Sequence, residues 1–155
     1  MVSATSSGGA DDDATLGGVL RGLRVLVVDD DRDTLELLDA ILTTAGVEVS
    51  CAVSVAQAFE LLVANRPNVI ISDIEMPHEN GHSFLRNLRS VLDEDGGQTP
   101  AIALSGRTQP ADRERGLASG FNLYLTKPTT AVGILRAVQA VVRDVAGPRT
   151  PGAVT

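Results

Sequence analysis

The chain has 155 residues and a formal charge of −7 at neutral pH, with 13 Lys and Arg against 20 Asp and Glu. That length accommodates one domain with short tails. The acidic balance, with three Phe, one Tyr and no Trp, speaks against direct nucleic-acid binding, which needs cations for phosphates and aromatic planes for bases. A lone cysteine, Cys51, excludes an internal disulfide and a multi-cysteine zinc site, and two histidines, His78 and His82, leave little for a His-rich metal centre. No apolar run approaches the roughly 18 residues of a membrane span, and no Lys or Arg precedes Arg21, so the charged start of a signal peptide is missing. The expected location is the cytoplasm, without membrane insertion.

Residues 1–21 are rich in Ser, Gly, Ala and Asp and read as a flexible acidic tail or linker. Residues 147–155, with two prolines and two glycines, read as a second flexible tail. Between them, residues 22–146 alternate in hydrophobic period. Arg24-Val25-Leu26-Val27-Val28 is a continuous apolar run, the mark of a strand buried on both faces. Leu35, Leu38, Ile41, Leu42 and Ala45 then recur at helical spacing, and Gly46 supplies a stop. Val47 to Val53 predicts a weaker strand, and Ser54 caps a helix carrying Val55, Ala58, Phe59 and Leu62 until Pro67 breaks it. Asn68 to Asp73 predicts a third strand, Pro77 to Gly81 a loop, and Ser83 to Leu92 a helix. A polar loop over Asp93 to Pro100 leads to a fourth strand, Ala101 to Ser105. A short helix from Asp112 to Ser119 has few apolar residues and so few anchors. Asn122 to Thr126 predicts the fifth strand, and Ile134, Leu135, Val138, Val141, Val142 and Val145 the last helix. Alternating strands and helices imply an α/β fold: a parallel, doubly wound sheet with helices on both faces.

In such sheets the working groups lie beyond the carboxyl ends of the strands. The first strand ends in Asp29-Asp30, the third in Asp73, the fourth in Ser105, and the fifth in Lys127-Pro128. Crowded carboxylates repel one another unless a cation sits between them. An all-oxygen set without Cys or His favours a hard ion such as Mg²⁺. A carboxylate in that setting can attack phosphorus, and the new charge then needs an ammonium and a hydroxyl. Lys127 is the only lysine in the chain and falls at this edge. Each residue alone has an ordinary explanation as a turn, a cap or a loop residue; the joint pattern does not.

The residues Val25-Leu26-Val27-Val28-Asp29-Asp30-Asp31, Ser72-Asp73-Ile74-Glu75-Met76-Pro77 with Gly81, Ala103-Leu104-Ser105-Gly106 and Tyr124-Leu125-Thr126-Lys127-Pro128 resemble the receiver domain of two-component response regulators. The resemblance implies a flavodoxin-like five-stranded sheet of order 2-1-3-4-5. It implies that Asp73 accepts a phosphoryl group from the phosphohistidine of a histidine kinase or histidine phosphotransfer protein. Asp29, Asp30, Asp73 and the backbone carbonyl of Glu75 would hold Mg²⁺. Lys127 and Ser105 would contact phosphoryl oxygens, and Tyr124 would follow Ser105 inward as the aromatic switch. The Lys127–Pro128 bond is often cis in the family. Gly106 departs mildly from it, Ala being commoner there, which puts the switching rate in doubt but not the site.

A receiver is a phosphoacceptor that catalyses its own phosphorylation and dephosphorylation and passes the change to a downstream target protein through the fourth helix, fifth strand and fifth helix. It is not a turnover enzyme. Its setting is a stand-alone regulator, a phosphorelay intermediate or the receiver of a hybrid kinase. Two other readings compete. One is an unphosphorylated receiver used as a binding module. The other is a haloacid-dehalogenase-type phosphotransferase, whose nucleophile lies in an Asp-x-Asp at the first strand; here that strand ends in adjacent acids. His78 and His82 read as solvated loop residues, Cys51 as a small apolar filler and Met76 as a packed residue. Glu75 and Arg107 carry opposite charges two positions beyond Asp73 and Ser105, where they would meet across the mouth of the site and shield an aspartyl phosphate from water.

Overall fold

The computed structural model describes residues 20–76, 79–91, 97–107 and 109–146. Residues 1–19 and 147–155 of the predicted tails, Pro77, His78 and half of the polar loop before the fourth strand lie outside them. Elements follow in the order β1 (Arg24–Val28), α1 (Arg32–Thr44), β2 (Glu48–Ala52), α2 (Val55–Asn65) and β3 (Val69–Asp73). A two-residue hairpin of β4 (Glu75–Met76) and β5 (Glu79–Asn80) precedes α3 (Gly81–Val91). The chain then forms β6 (Ala101–Ser105), α4 (Pro110–Ala118), β7 (Leu123–Thr126) and α5 (Ala131–Ala146). The main sheet is parallel, in the order β2-β1-β3-β6-β7. With the hairpin set aside, this is the expected 2-1-3-4-5.

The apolar runs end up where their period places them. In β1, Val25 and Val27 face one side and Leu26 and Val28 the other, all buried. The first side packs under Leu35, Leu38 and Leu42 of α1 and Ile134, Val138 and Val141 of α5. The second packs under Ala58 and Leu62 of α2 and Phe84, Leu85 and Leu88 of α3. Phe84 meets Phe59 edge to face at 5.4 Å between centroids. Phe84→Ala is therefore expected to lower the unfolding free energy by about 3–5 kcal/mol in a urea titration.

Local signals fix the helix starts. Asp31 accepts from the Asp33 N–H and the Thr34 hydroxyl at the head of α1. Ser54 accepts from the Gln57 N–H, while the Gln57 amide oxygen accepts from the Val53 N–H, a reciprocal cap. Leu20, inside the predicted tail, is fully buried against the α1 and α5 core. Met76 is buried, and Cys51 is half-buried against the same core as Leu20.

The predicted loop over residues 77–81 differs from the structure. Glu75 pairs with Asn80 and Met76 with Glu79, and Gly81 opens α3 two residues early. Gly81 lies against β3's exit, where a Cβ would come 2.5 Å from the Ile74 Cα, so only glycine lets the helix start there. The early start turns His82 inward. It is buried, not solvated: its Nδ1 lies 2.9 Å from the Ser119 hydroxyl, which itself donates to the Arg115 carbonyl. Burial, with the charges of Arg115 and Arg86, holds its pKa below the ordinary value.

At the opposite end of the sheet, Arg89 of α3 donates to the carbonyls of Gly97, Thr99 and Gly120 and to the Asn122 side chain. Helix α4 is the least anchored: Gly116 is its one buried residue, and Leu117 is 44% exposed. Among the described residues no helix is long and apolar enough to cross a membrane.

Candidate functional site

Parallel pairing brings the carboxyl ends of β1, β3, β6 and β7 to one edge. Asp29 follows β1 directly, its N–H held by the Ala52 carbonyl of β2. Asp73 closes β3 opposite Leu104 of β6, and Ser105 pairs with Thr126, one residue before Lys127. Strand register thus sets the spacing of the site.

Carboxylate oxygens of Asp29, Asp30 and Asp73 all lie within 4.8 Å of one another. Asp29 and Asp73 are buried, and Asp30 is exposed. One Asp29 oxygen, Oδ1, accepts from the Asp31 N–H at 2.9 Å. The other, Oδ2, is buried without a hydrogen-bond partner, with the Lys127 Nζ at 3.7 Å. Asp73 Oδ1 accepts from the Glu75 N–H at 3.1 Å and faces the Lys127 Nζ at 3.5 Å. Three clustered carboxylates are met by one ammonium, which faces Asp29 and Asp73, leaving an excess of negative charge. Burial pushes the Asp29 carboxyl up to about 6; the Asp73 and Asp30 charges add to this, while the Asp31 N–H and Lys127 oppose it. An orphaned buried oxygen beside two further carboxylates is a donor set for a hard divalent cation.

Lys127 is positioned by its own N–H, which donates to the Ser105 carbonyl at 2.7 Å, and the Lys127–Pro128 bond is cis. Ser105 engages Glu75. Its hydroxyl donates to Glu75 Oε2 at 2.7 Å. Glu75 Oε1 accepts from the Gly106 N–H at 3.1 Å, and the Arg107 Nε lies 2.9 Å from Oε2. The Glu75–Arg107 pair therefore forms. Being exposed, it is worth only about 0–1 kcal/mol of stability. Burial raises the Glu75 pKa, but the Ser105 and Gly106 hydrogen bonds and the Arg107 charge outweigh it and leave it below the ordinary value. Spacing suggested the ion pair; nothing in it signalled that Ser105 and Gly106 share the same carboxylate.

Tyr124 is buried at 3% exposure, and its hydroxyl donates to the Arg107 carbonyl at 3.1 Å. The ring lies so close to α4 that a Cβ on Gly116 would come 2.7 Å from its Cδ2. The Tyr124 ring thus lies inward, against α4.

The sequence of residues 25–139 matches the family model of the response regulator receiver domain. The transcriptional regulatory protein PrrA of Mycobacterium tuberculosis is 41% identical over 120 residues, which cover 77% of this chain and 50% of PrrA. The chain thus spans about half the length of that relative. Among solved structures, the chemotaxis response regulator CheY4 of Vibrio cholerae superposes with a TM-score of 0.71 at 31% identity, over 77% of this chain and 98% of that one. The receiver domain of the sensor histidine kinase PA1611 of Pseudomonas aeruginosa, which has a magnesium ion coordinated in its active-site cleft, gives 0.70 at 30% identity, over 78% and 98%. With the sheet order, the acidic edge and a family match across most of its length, this chain belongs to the response regulator receiver domains.

Proposed function

We propose that this domain is a phosphorylation-dependent switch in which Asp73 accepts a phosphoryl group from a histidine kinase or histidine phosphotransfer protein. The observation that carries this reading is the orphaned Asp29 Oδ2 beside Asp30, Asp73 and Lys127. Asp29, Asp30, Asp73 and the Glu75 carbonyl would hold Mg²⁺, which when bound offsets the carboxylate charge and that of the incoming phosphoryl group. An Asp73 oxygen attacks phosphorus, the P–N bond of the donor breaks, and its electron pair returns to the imidazole. Lys127 balances charge on the transferred group. Ser105 lies on the adjacent strand end, from which its hydroxyl reaches a phosphoryl oxygen once released from Glu75.

The downstream partner is a protein that reads the surface of α4, β7 and α5. A transcriptional output such as PrrA's name describes does not transfer to a chain matching half of it. The test is intact mass after incubation with Mg²⁺ and acetyl phosphate. A hydroxylamine-sensitive gain of one phosphoryl group is the expected result. No gain from any donor would favour the unphosphorylated binding module instead.

A further inference from the structure

The donors gathered on Glu75 form an oxyanion site of their own. A hydroxyl, a backbone N–H and a guanidinium converge on one carboxylate, from the last residue of β6 and the two residues after it. The same segment is tied to the switch residue. The Arg107 N–H donates to Ser105 Oγ at 3.0 Å, and the Arg107 carbonyl accepts from Tyr124. An unbroken chain of hydrogen bonds therefore runs from Glu75 through residues 105–107 to the buried Tyr124 ring. The Asp73 carboxylate takes no part in it; Asp73 contacts Glu75 only through the Glu75 N–H.

We propose that the Glu75 carboxylate is a built-in surrogate for the phosphoryl group, a positioning residue that draws in Ser105 and holds Tyr124 inward before phosphorylation. This rests on the reading that Ser105 serves a phosphoryl group on Asp73. A phosphoryl oxygen and Glu75 then compete for one hydroxyl, which has a single proton to donate. Phosphorylation replaces one anion on the loop with another, and Tyr124 moves little. The resting domain already presents the inward arrangement at α4 and β7, and removing Glu75 restores a wide swing.

Tyr124 is the only tyrosine and the chain has no tryptophan, so tyrosine emission reports on this side chain alone. The experiment is acrylamide quenching of that emission in the full chain with Mg²⁺, before and after beryllofluoride. In the unsubstituted protein we expect weak quenching that beryllofluoride changes less than about twofold. In Glu75→Ala we expect quenching to rise roughly threefold or more without beryllofluoride and to fall back when it is added. Glu75→Gln keeps a carbonyl oxygen as acceptor and is expected to lie between the two. Protection in Glu75→Ala equal to the unsubstituted protein would overturn the proposal, as would a Tyr124 that is accessible until beryllofluoride is added. Fluorine NMR of bound beryllofluoride, lost in Asp73→Asn, tests the acceptor separately. If no bound signal appears, the phosphoacceptor reading fails, while the comparison without beryllofluoride still decides whether Glu75 holds Tyr124.

Discussion

Asp73→Asn is expected to reduce phosphate incorporation from acetyl phosphate by at least about two orders of magnitude. The amide is nearly isosteric, and its oxygen still accepts the Glu75 N–H that orients Asp73. On the proposed mechanism the anionic nucleophile is lost, and no other group at the edge is expected to replace it. Asp29 is held by the Asp31 N–H, and Asp30 is exposed. The variant should fold with an unchanged urea midpoint or a slightly higher one, since one of three crowded charges is gone. Hydroxylamine-sensitive labelling that persists at full stoichiometry would move the acceptor to another carboxylate.

Asp29→Asn has the second large effect, and it acts in opposite directions on stability and metal binding. The Asp29 carboxyl titrates at about 6 in the fold against an ordinary 3.8, chiefly because it is buried. The fold therefore binds this proton more tightly than the unfolded chain does. That contribution to stability is complete below pH 3.8 and is lost as the pH rises through about 6. The shift is worth about 3 kcal/mol. In a chelator-treated sample at pH 8, Asp29→Asn is thus expected to be more stable by up to about 3 kcal/mol. The advantage should shrink as the pH is lowered to about 5. Mg²⁺ affinity should fall at least about tenfold in the variant, because a neutral amide replaces an anionic oxygen. Denaturation at both pH values and a Mg²⁺ titration give the two readings. Equal stability at pH 8 would show that Asp29 carries no burial penalty.

Much of this was legible in the chain. The runs at Val25–Val28 and Ala101–Leu104 are buried on both faces, as in a parallel sheet covered by helices, and Asp29 and Ser105 fall where those runs stop. The hairpin of Glu75–Met76 with Glu79–Asn80 was not legible, because two-residue strands span a single period and show no alternation. His82 misled because a polar residue beside a turn looks solvated; its burial depends on Ser119, 37 residues away in the sequence. Tyr124's position likewise depends on the bare backbone at Gly116 of a different element. Side-chain contacts between distant segments leave no period in a sequence.

Arg89 bears on how α4 can move. One guanidinium ties α3 to the segment entering β6 and to the turn between α4 and β7. Charge-assisted bonds to carbonyls are strong, and replacing the planar fork with lysine cannot reproduce them. The Gly120 end of α4 is thereby riveted, while its Gln109 end has no side-chain cap. Any displacement of α4 then takes the form of a door swinging about Gly120, with the widest travel beside Arg107, next to the acidic edge. Arg89→Lys would loosen that hinge pin, and α4 would drift instead of pivoting, which relaxation dispersion at Leu117 and Gly120 would register.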